Sequence, residues 1–111
     1  MSTQLDERAF DDVAERTLAL LETSLGEVEG LDVDLESGIL TVEFADGVRY
    51  VVNSHRAARQ IWMACGARAW HFDVDAASGK WTASKSGDEL WSTLGEQLSS
   101  KLGRAVTLAS R

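Results

Sequence analysis

The sequence predicts an α+β fold: a two-layer α/β sandwich with two terminal helices packed on one face of an antiparallel sheet of about six strands. Three observations carry this expectation. Apolar residues recur at three- and four-residue intervals near each end of the chain, and short runs of alternating polarity fill the middle. Turn dipeptides join those runs so tightly that neighbouring strands must be antiparallel. A meander with one face to cover, and two amphipathic helices to cover it, closes into two layers, leaving the other face to solvent or partners.

In the first element, Phe10, Val13, Ala14, Thr17, Leu18, Leu21, Leu25 and Val28 mark an amphipathic helix from about Leu5 to Leu25. At about 100° per residue, Asp11, Glu15 and Glu22 fall on one stripe beside its apolar side. Gly26 and Gly30 bracket the exit. Leu31-Asp32-Val33-Asp34-Leu35-Glu36 then alternates strictly, so a strand sends its three carboxylates to one face and its apolar residues to the other. Ser37-Gly38 turns the chain into Ile39–Phe44, and Asp46-Gly47 turns it into Val48–Asn53. A polar, basic stretch, Ser54–Arg59, leads to Gln60–Ala64. Trp70–Val74 and Lys80–Thr82 complete the strands, joined by an Ala-Ser-Gly turn.

Ser86-Gly87-Asp88-Glu89 has the S-x-x-E form of a capping box. It is expected to open a second helix with Leu90, Trp91, Leu94, Leu98 and Leu102 inward. Gly95 costs that helix about 1 kcal/mol relative to Ala, and Gly103 is a natural stop. The tail Arg104–Arg111 is expected to pack or fray.

The length, 111 residues, suits one domain, and 44% hydrophobic residues suit a folded, soluble one. No apolar run approaches the roughly 20 residues that cross a bilayer, and Met1–Phe10 lacks the regions of a signal peptide. The expected compartment is the cytoplasm, without membrane attachment. The lone Cys65 fits a reducing environment and is expected to be structural. A net charge of −7 argues against a nucleic-acid partner, which requires Lys and Arg to displace counterions. That charge is uneven: residues 1–36 hold eleven carboxylates against two arginines, a net of −9, and the remainder sums to +2. One end of the molecule is therefore expected to meet cations, either metal ions or a basic partner.

No P-loop, G-x-G-x-x-G or zinc-type Cys/His spacing occurs, and neither His55 nor His71 follows a Glu by three residues as a buried di-iron centre requires. What remains are the carboxylates. Asp11, Glu15, Glu22, Glu27, Glu29, Asp32, Asp34 and Glu36 are expected to meet where the first helix ends beside the first strand. As hard oxygen donors they suit Mg²⁺, Ca²⁺, Mn²⁺ and ferrous or ferric iron. The same acids also suit a solvated face that only keeps the protein in solution. In Gln60-Ile61-Trp62-Met63, alternation puts Gln60 and Trp62 opposite Ile61 and Met63, which sends Trp62 to the open face. There it either contacts a partner or packs on its sheet neighbours. Trp70, Phe72 and Val74 share the core parity, sending His71 and Asp73 outward. Trp81 and Trp91 read as core.

Tyr50-Val-Val-Asn53, six residues, Gln60-Ile-Trp-Met-Ala64, then Trp70-His-Phe-Asp73, a short turn, Trp81 and Ser86-Gly-Asp-Glu-Leu-Trp91 form an ordered set. This set resembles the frataxin family, and His71-Phe72 resembles its bacterial branch. The likeness runs from Phe10 to Gly103, and the whole chain reads as a single frataxin-like domain. The resemblance implies a small protein of iron–sulfur cluster assembly that binds iron (Fe²⁺ or Fe³⁺) weakly through an acidic ridge on the first helix and strand. Other divalent cations would suit the same ligands. It also implies docking of that ridge on a basic patch of the cysteine desulfurase, whose rate it adjusts, within a complex that includes the iron–sulfur scaffold protein. The family's ridge positions match Glu22, Glu27, Asp32 and Asp34, with Glu29 and Glu36 close by. Asp11, Asp12 and Glu15 stand where family members also carry ligands, and the family's exposed sheet residues match Asn53, Gln60 and Trp62.

Two features depart from the family pattern. Thr23, Ser24, Leu25 and Gly26 stand where relatives often carry a run of carboxylates, and no proline precedes Gln60. The resemblance implies a monomer, with iron-dependent oligomers as a further state. An iron oxidase or storage protein, and an acidic protein-binding module with incidental metal affinity, remain the alternative readings.

Overall fold

Asp6 starts the first helix, because its Oδ1 accepts the Ala9 N–H at 2.8 Å and so caps an otherwise orphaned donor. The structure, a computed structural model, describes residues 5–108. Helix α1 spans Glu7–Leu25 and buries Phe10, Ala14, Thr17, Leu18, Leu21 and Leu25. The strands follow as β1 (Leu31–Glu36), β2 (Ile39–Phe44), β3 (Arg49–His55), β4 (Gln60–Cys65), β5 (Arg68–Val74) and β6 (Trp81–Ala83). Helix α2 spans Leu90–Leu102. The six strands lie in sequence order, each antiparallel to the next, so the expected two-layer α+β fold is the observed one.

Several strands outrun their sequence-based limits because pairing, and not residue preference, sets where they end. β3 reaches His55 since Ser54 and His55 face Ile61 and Gln60, and β4 and β5 extend to the closing pair Cys65–Arg68. β6 is shifted by one residue to Trp81–Ala83, where it faces Phe72–Val74. At the first hairpin Ser37 and Gly38 both have positive φ (53° and 78°), the geometry whose twist matches paired strands. A Cβ on Gly38 would also meet Ser54 Oγ at 2.8 Å.

One face of the sheet presents Leu40, Val42, Tyr50, Val52, Ile61, Met63, Phe72 and Trp81 to the core, and both helices pack there. Trp81 ties the layers together. Its ring meets Phe10 edge-on at 5.8 Å, and its Nε1–H donates to Thr17 Oγ1 at 3.0 Å. Trp70 and Trp91 are buried as expected.

The second helix starts differently from the expectation. Its cap is Glu89, not Ser86: the Glu89 carboxylate accepts the Trp91 and Ser92 N–H groups at 2.9 and 3.0 Å. Ser86 is committed to a turn in which Gly87 (φ 80°) donates to Ala83 O and Ala83 N–H donates to Asp88 O. The helix cannot begin until that turn closes. Gly95 proves useful despite its low helix propensity, because residues 106–108 lie across it and a Cβ there would sit 3.3 Å from Val106 O. Ser99 Oγ fixes the crossing by accepting the Val106 N–H at 2.8 Å. The tail therefore packs as far as Leu108; residues 109–111 lie outside the described residues.

Candidate functional site

The carboxylates of β1 face the open side of the sheet. Asp32, Asp34 and Glu36 are exposed, while Leu31, Val33 and Leu35 are half-buried beneath α1 and the β1–β2 edge. Because β1 is the outermost strand, its acids line an edge as well as a face. Register places Glu43 opposite Asp32, beside a shallow hollow of about 320 Å³ that also involves Gly30, Leu31, Phe44 and Ala45. Two carboxylates directly across strands repel each other. Arg49 Nε stands 3.7 Å from Glu43 Oε1 and offsets part of that cost. Glu43 was missed in the sequence reading, although its outward parity in β2 and the tight Ser37-Gly38 hairpin together place it opposite Asp32.

Glu27 and Glu29 are exposed on the link between α1 and β1, and Glu22 is half-buried on the last turns of α1. None of Asp12, Glu15, Glu22, Glu27, Glu29, Asp32, Asp34 and Glu36 enters an ion pair among the described residues. The expectation that all the early acids meet is corrected at the start of the helix. Asp11 lies eleven residues before Glu22, about 16 Å along the axis at 1.5 Å per residue. Its Oδ2 stands 3.1 Å from Arg56 Nε, which Glu7 also approaches at 3.6 Å. The acids thus form an extended margin and not one knot. Among the described residues no three His, Cys, Asp or Glu side chains gather closely enough to hold a metal ion.

A second feature adjoins this margin. Cross-strand pairing lines up Glu36, Ile39, Asn53, Trp62 and His71 in one row across five strands. Trp62 does reach the open face, and it is held there between two imidazoles. His55 stacks on it at 3.8 Å and His71 at 4.3 Å, both within 13° of parallel. Trp62 Nε1–H donates to Gln60 Oε1 at 2.8 Å, and Gln60 Nε2 donates to Asp73 Oδ1 at 3.0 Å. These contacts fix the indole in one orientation, half-buried. Ile39, the large apolar side chain left exposed among the described residues (47%), sits in the same row. His55 Nδ1 is buried without a hydrogen-bond partner. The part played by His55 was not foreseen, because its stacking depends on β3 extending past Asn53.

Nucleophilic chemistry finds no support at Cys65. Burial pushes its thiol up to about 12, with Arg68 opposing, so the reactive thiolate is scarce at neutral pH.

Comparison with known proteins places this geometry. A family model describing a frataxin-like domain matches residues 3–104. The iron–sulfur cluster assembly protein CyaY of Dechloromonas aromatica is 35% identical over 109 residues, covering 94% of this chain and 99% of the relative. The protein of the same name from Thioalkalivibrio sulfidiphilus is 37% identical over 98 residues, covering 86% and 92%. The solved structure of frataxin from Psychromonas ingrahamii superposes with a TM-score of 0.86 over 95% of this chain and 99% of that one, at 24% identity, a likeness of fold. Trimeric yeast frataxin complexed with ferrous iron gives a TM-score of 0.62 at 27% identity, covering 94% and 92%. No helix among the described residues is long and apolar enough to cross a membrane.

Proposed function

The chain belongs to the frataxin-like family, and from that premise we propose that it serves iron–sulfur cluster assembly in the cytoplasm. It carries iron as weakly held cargo on its acidic margin and docks that margin on the cysteine desulfurase and its scaffold protein. The observation that carries this reading is the open edge strand β1, whose Asp32, Asp34 and Glu36 all face outward without cationic partners among the described residues.

The donor set supports weak binding. Exposed oxygen ligands suit hydrated ferrous or ferric iron, and with one or two carboxylates at any spot, water would fill most of the coordination sphere. Asp32 with Glu43 across the strand offers one such spot, while Glu22, Glu27 and Glu29 extend the ligand supply along the margin; Asp12 and Glu15 add sites further up α1, and Asp11 adds one only if it leaves Arg56. Such iron is easily given up, as cargo must be.

Docking follows from the same charge. A row of exposed carboxylates attracts a basic patch, speeds encounter and fixes orientation. Bound iron reduces the negative charge and so changes the strength of the complex. Asn53 and Trp62 of the neighbouring row, with Gln60 bonded to the indole, supply an aromatic anchor in a polar surround, the usual composition of a contact centre. Replacing Asp32→Lys together with Asp34→Lys is expected to weaken desulfurase binding severalfold or more with an unchanged amide spectrum elsewhere. Unaltered affinity in a calorimetric titration would remove the margin from the mechanism.

A further inference from the structure

The open face ends in a notch on the side far from β1. β6 pairs with Phe72–Val74 of β5 and then leaves it: after Ala83 the chain turns, with Ser86 and Gly87 N–H both donating to Ala83 O at 3.3 and 2.7 Å. Residues 68–70 of β5 keep an open edge. Between that edge and the turn lies a cavity of about 630 Å³ whose lining includes Gln60, Arg68, His71, Ser84, Lys85 and Asp88.

The neighbouring ladder shows which backbone groups face this space. Asp75 N–H donates to Lys80 O at 2.8 Å, so Asp75 turns its backbone toward the β6 side. Backbone direction alternates along a strand, and Asp73, His71 and Ala69 turn the same way. Asp73 meets Thr82. The Phe72–Ala83 pairing sets His71 opposite Ser84, so Ala69 is the residue whose outward backbone groups meet the cavity, and among the described residues no strand pairs with it on that side.

Charge in the notch runs against the rest of the molecule. Arg68 and Lys85 enter no ion pair among the described residues, and Arg68 lies over the Trp70 ring at 4.9 Å. Asp88, the acid in the lining, accepts the Trp70 Nε1–H at 3.0 Å and offsets one of the two cations, leaving a basic excess of one. The acidic strand β1 is four ladders away from β5, roughly 19 Å at about 4.8 Å per strand. That is more than twice the ~8 Å screening length at physiological salt, so its carboxylates do not neutralise these cations.

We propose that the notch docks an extended acidic segment of a partner protein. The segment adds as a short further strand beside residues 68–70, exchanging main-chain hydrogen bonds with Ala69 while its carboxylates reach Arg68 and Lys85. Strand addition supplies affinity through the main chain, and the two cations supply selectivity.

The probe is a blocked hexapeptide of alternating glutamate and valine, titrated into the full chain and followed by amide NMR. Signals of residues 68–71 and 84–88 are expected to move, and those of β1 to stay. Arg68→Glu with Lys85→Glu is expected to weaken binding at least tenfold. Ala69→Pro removes one outward N–H without touching the ladder to β4, and is expected to weaken it comparably with both cations in place. Each variant's spectrum away from the notch reports that it has folded. Full binding to Ala69→Pro, equal shifts with inorganic phosphate or with a lysine–valine peptide, or the same shifts on raising protein concentration alone would each overturn the proposal.

Discussion

Trp81 has its whole indole in the core and one polar atom to satisfy, and Thr17 on the facing helix accepts from it at 3.0 Å while donating to Val13 O at 2.8 Å. Removing the acceptor while keeping the shape leaves a buried N–H without a partner. Thr17→Val is therefore expected to cost about 1–3 kcal/mol in chemical denaturation, whereas Thr17→Ser retains the hydroxyl and most of the stability. Cys65 gives a pH-dependent counterpart. Its folded value lies near 12, above the roughly 8.5 of an unfolded thiol. The unfolded chain therefore loses its proton first as pH rises. Cys65 contributes its stability in full below about pH 8.5 and loses it progressively toward pH 12. A disulfide reagent at pH 8 is expected to label Cys65 only under denaturant, and rapid labelling of the native protein would contradict its burial. Thr17 was legible on the inner side of the first helix from periodicity, whereas Cys65 was expected only to be structural. The stack of His55 on Trp62 was not legible, because it needs a cross-strand register that no single strand encodes.

At the level of elements, every helix and strand was visible in the sequence, since the 3.6-residue and two-residue periods rarely interrupt one another in this chain. The ends were less visible. A capping box is a local pattern, and Ser86 satisfies it on paper, yet the turn that pairs Ala83 with Asp88 competes for the same residues and wins. The consequence is measurable: Glu89→Ala is expected to destabilise the protein by about 1 kcal/mol, while Ser86→Ala changes it by less than about 0.5 kcal/mol. The reverse order in thermal denaturation would restore the first reading. Gly95 teaches the same lesson. As a helix residue it reads as a weakness, and only the crossing of residues 106–108 explains it. Likewise Asp11 carries the right charge for the margin, but its partner Arg56 comes from the β3–β4 turn, which the helix periodicity does not reveal.

Across the whole molecule, charge is sorted by position in the sheet. Acids of the first third occupy α1, its exit and the outer strand β1, whereas Arg68 and Lys85, unpaired among the described residues, stand at the other side. The sorting was legible from the uneven distribution along the chain. The spacing of the acids was not, since it depends on how far α1 runs past β1. An extended, exposed margin makes every ion and partner contact screenable, so raising salt from 0.05 to 0.5 M is expected to weaken iron and desulfurase binding together. In the proposed function, iron and the desulfurase meet the same carboxylates. An amide NMR titration with ferrous iron under anaerobic conditions, followed by addition of the desulfurase, tests it directly. Overlapping footprints on residues 22–36 are expected, with the desulfurase footprint reaching the Trp62 row. An iron footprint away from β1, or a desulfurase footprint that leaves Asp32 and Asp34 untouched, would contradict it.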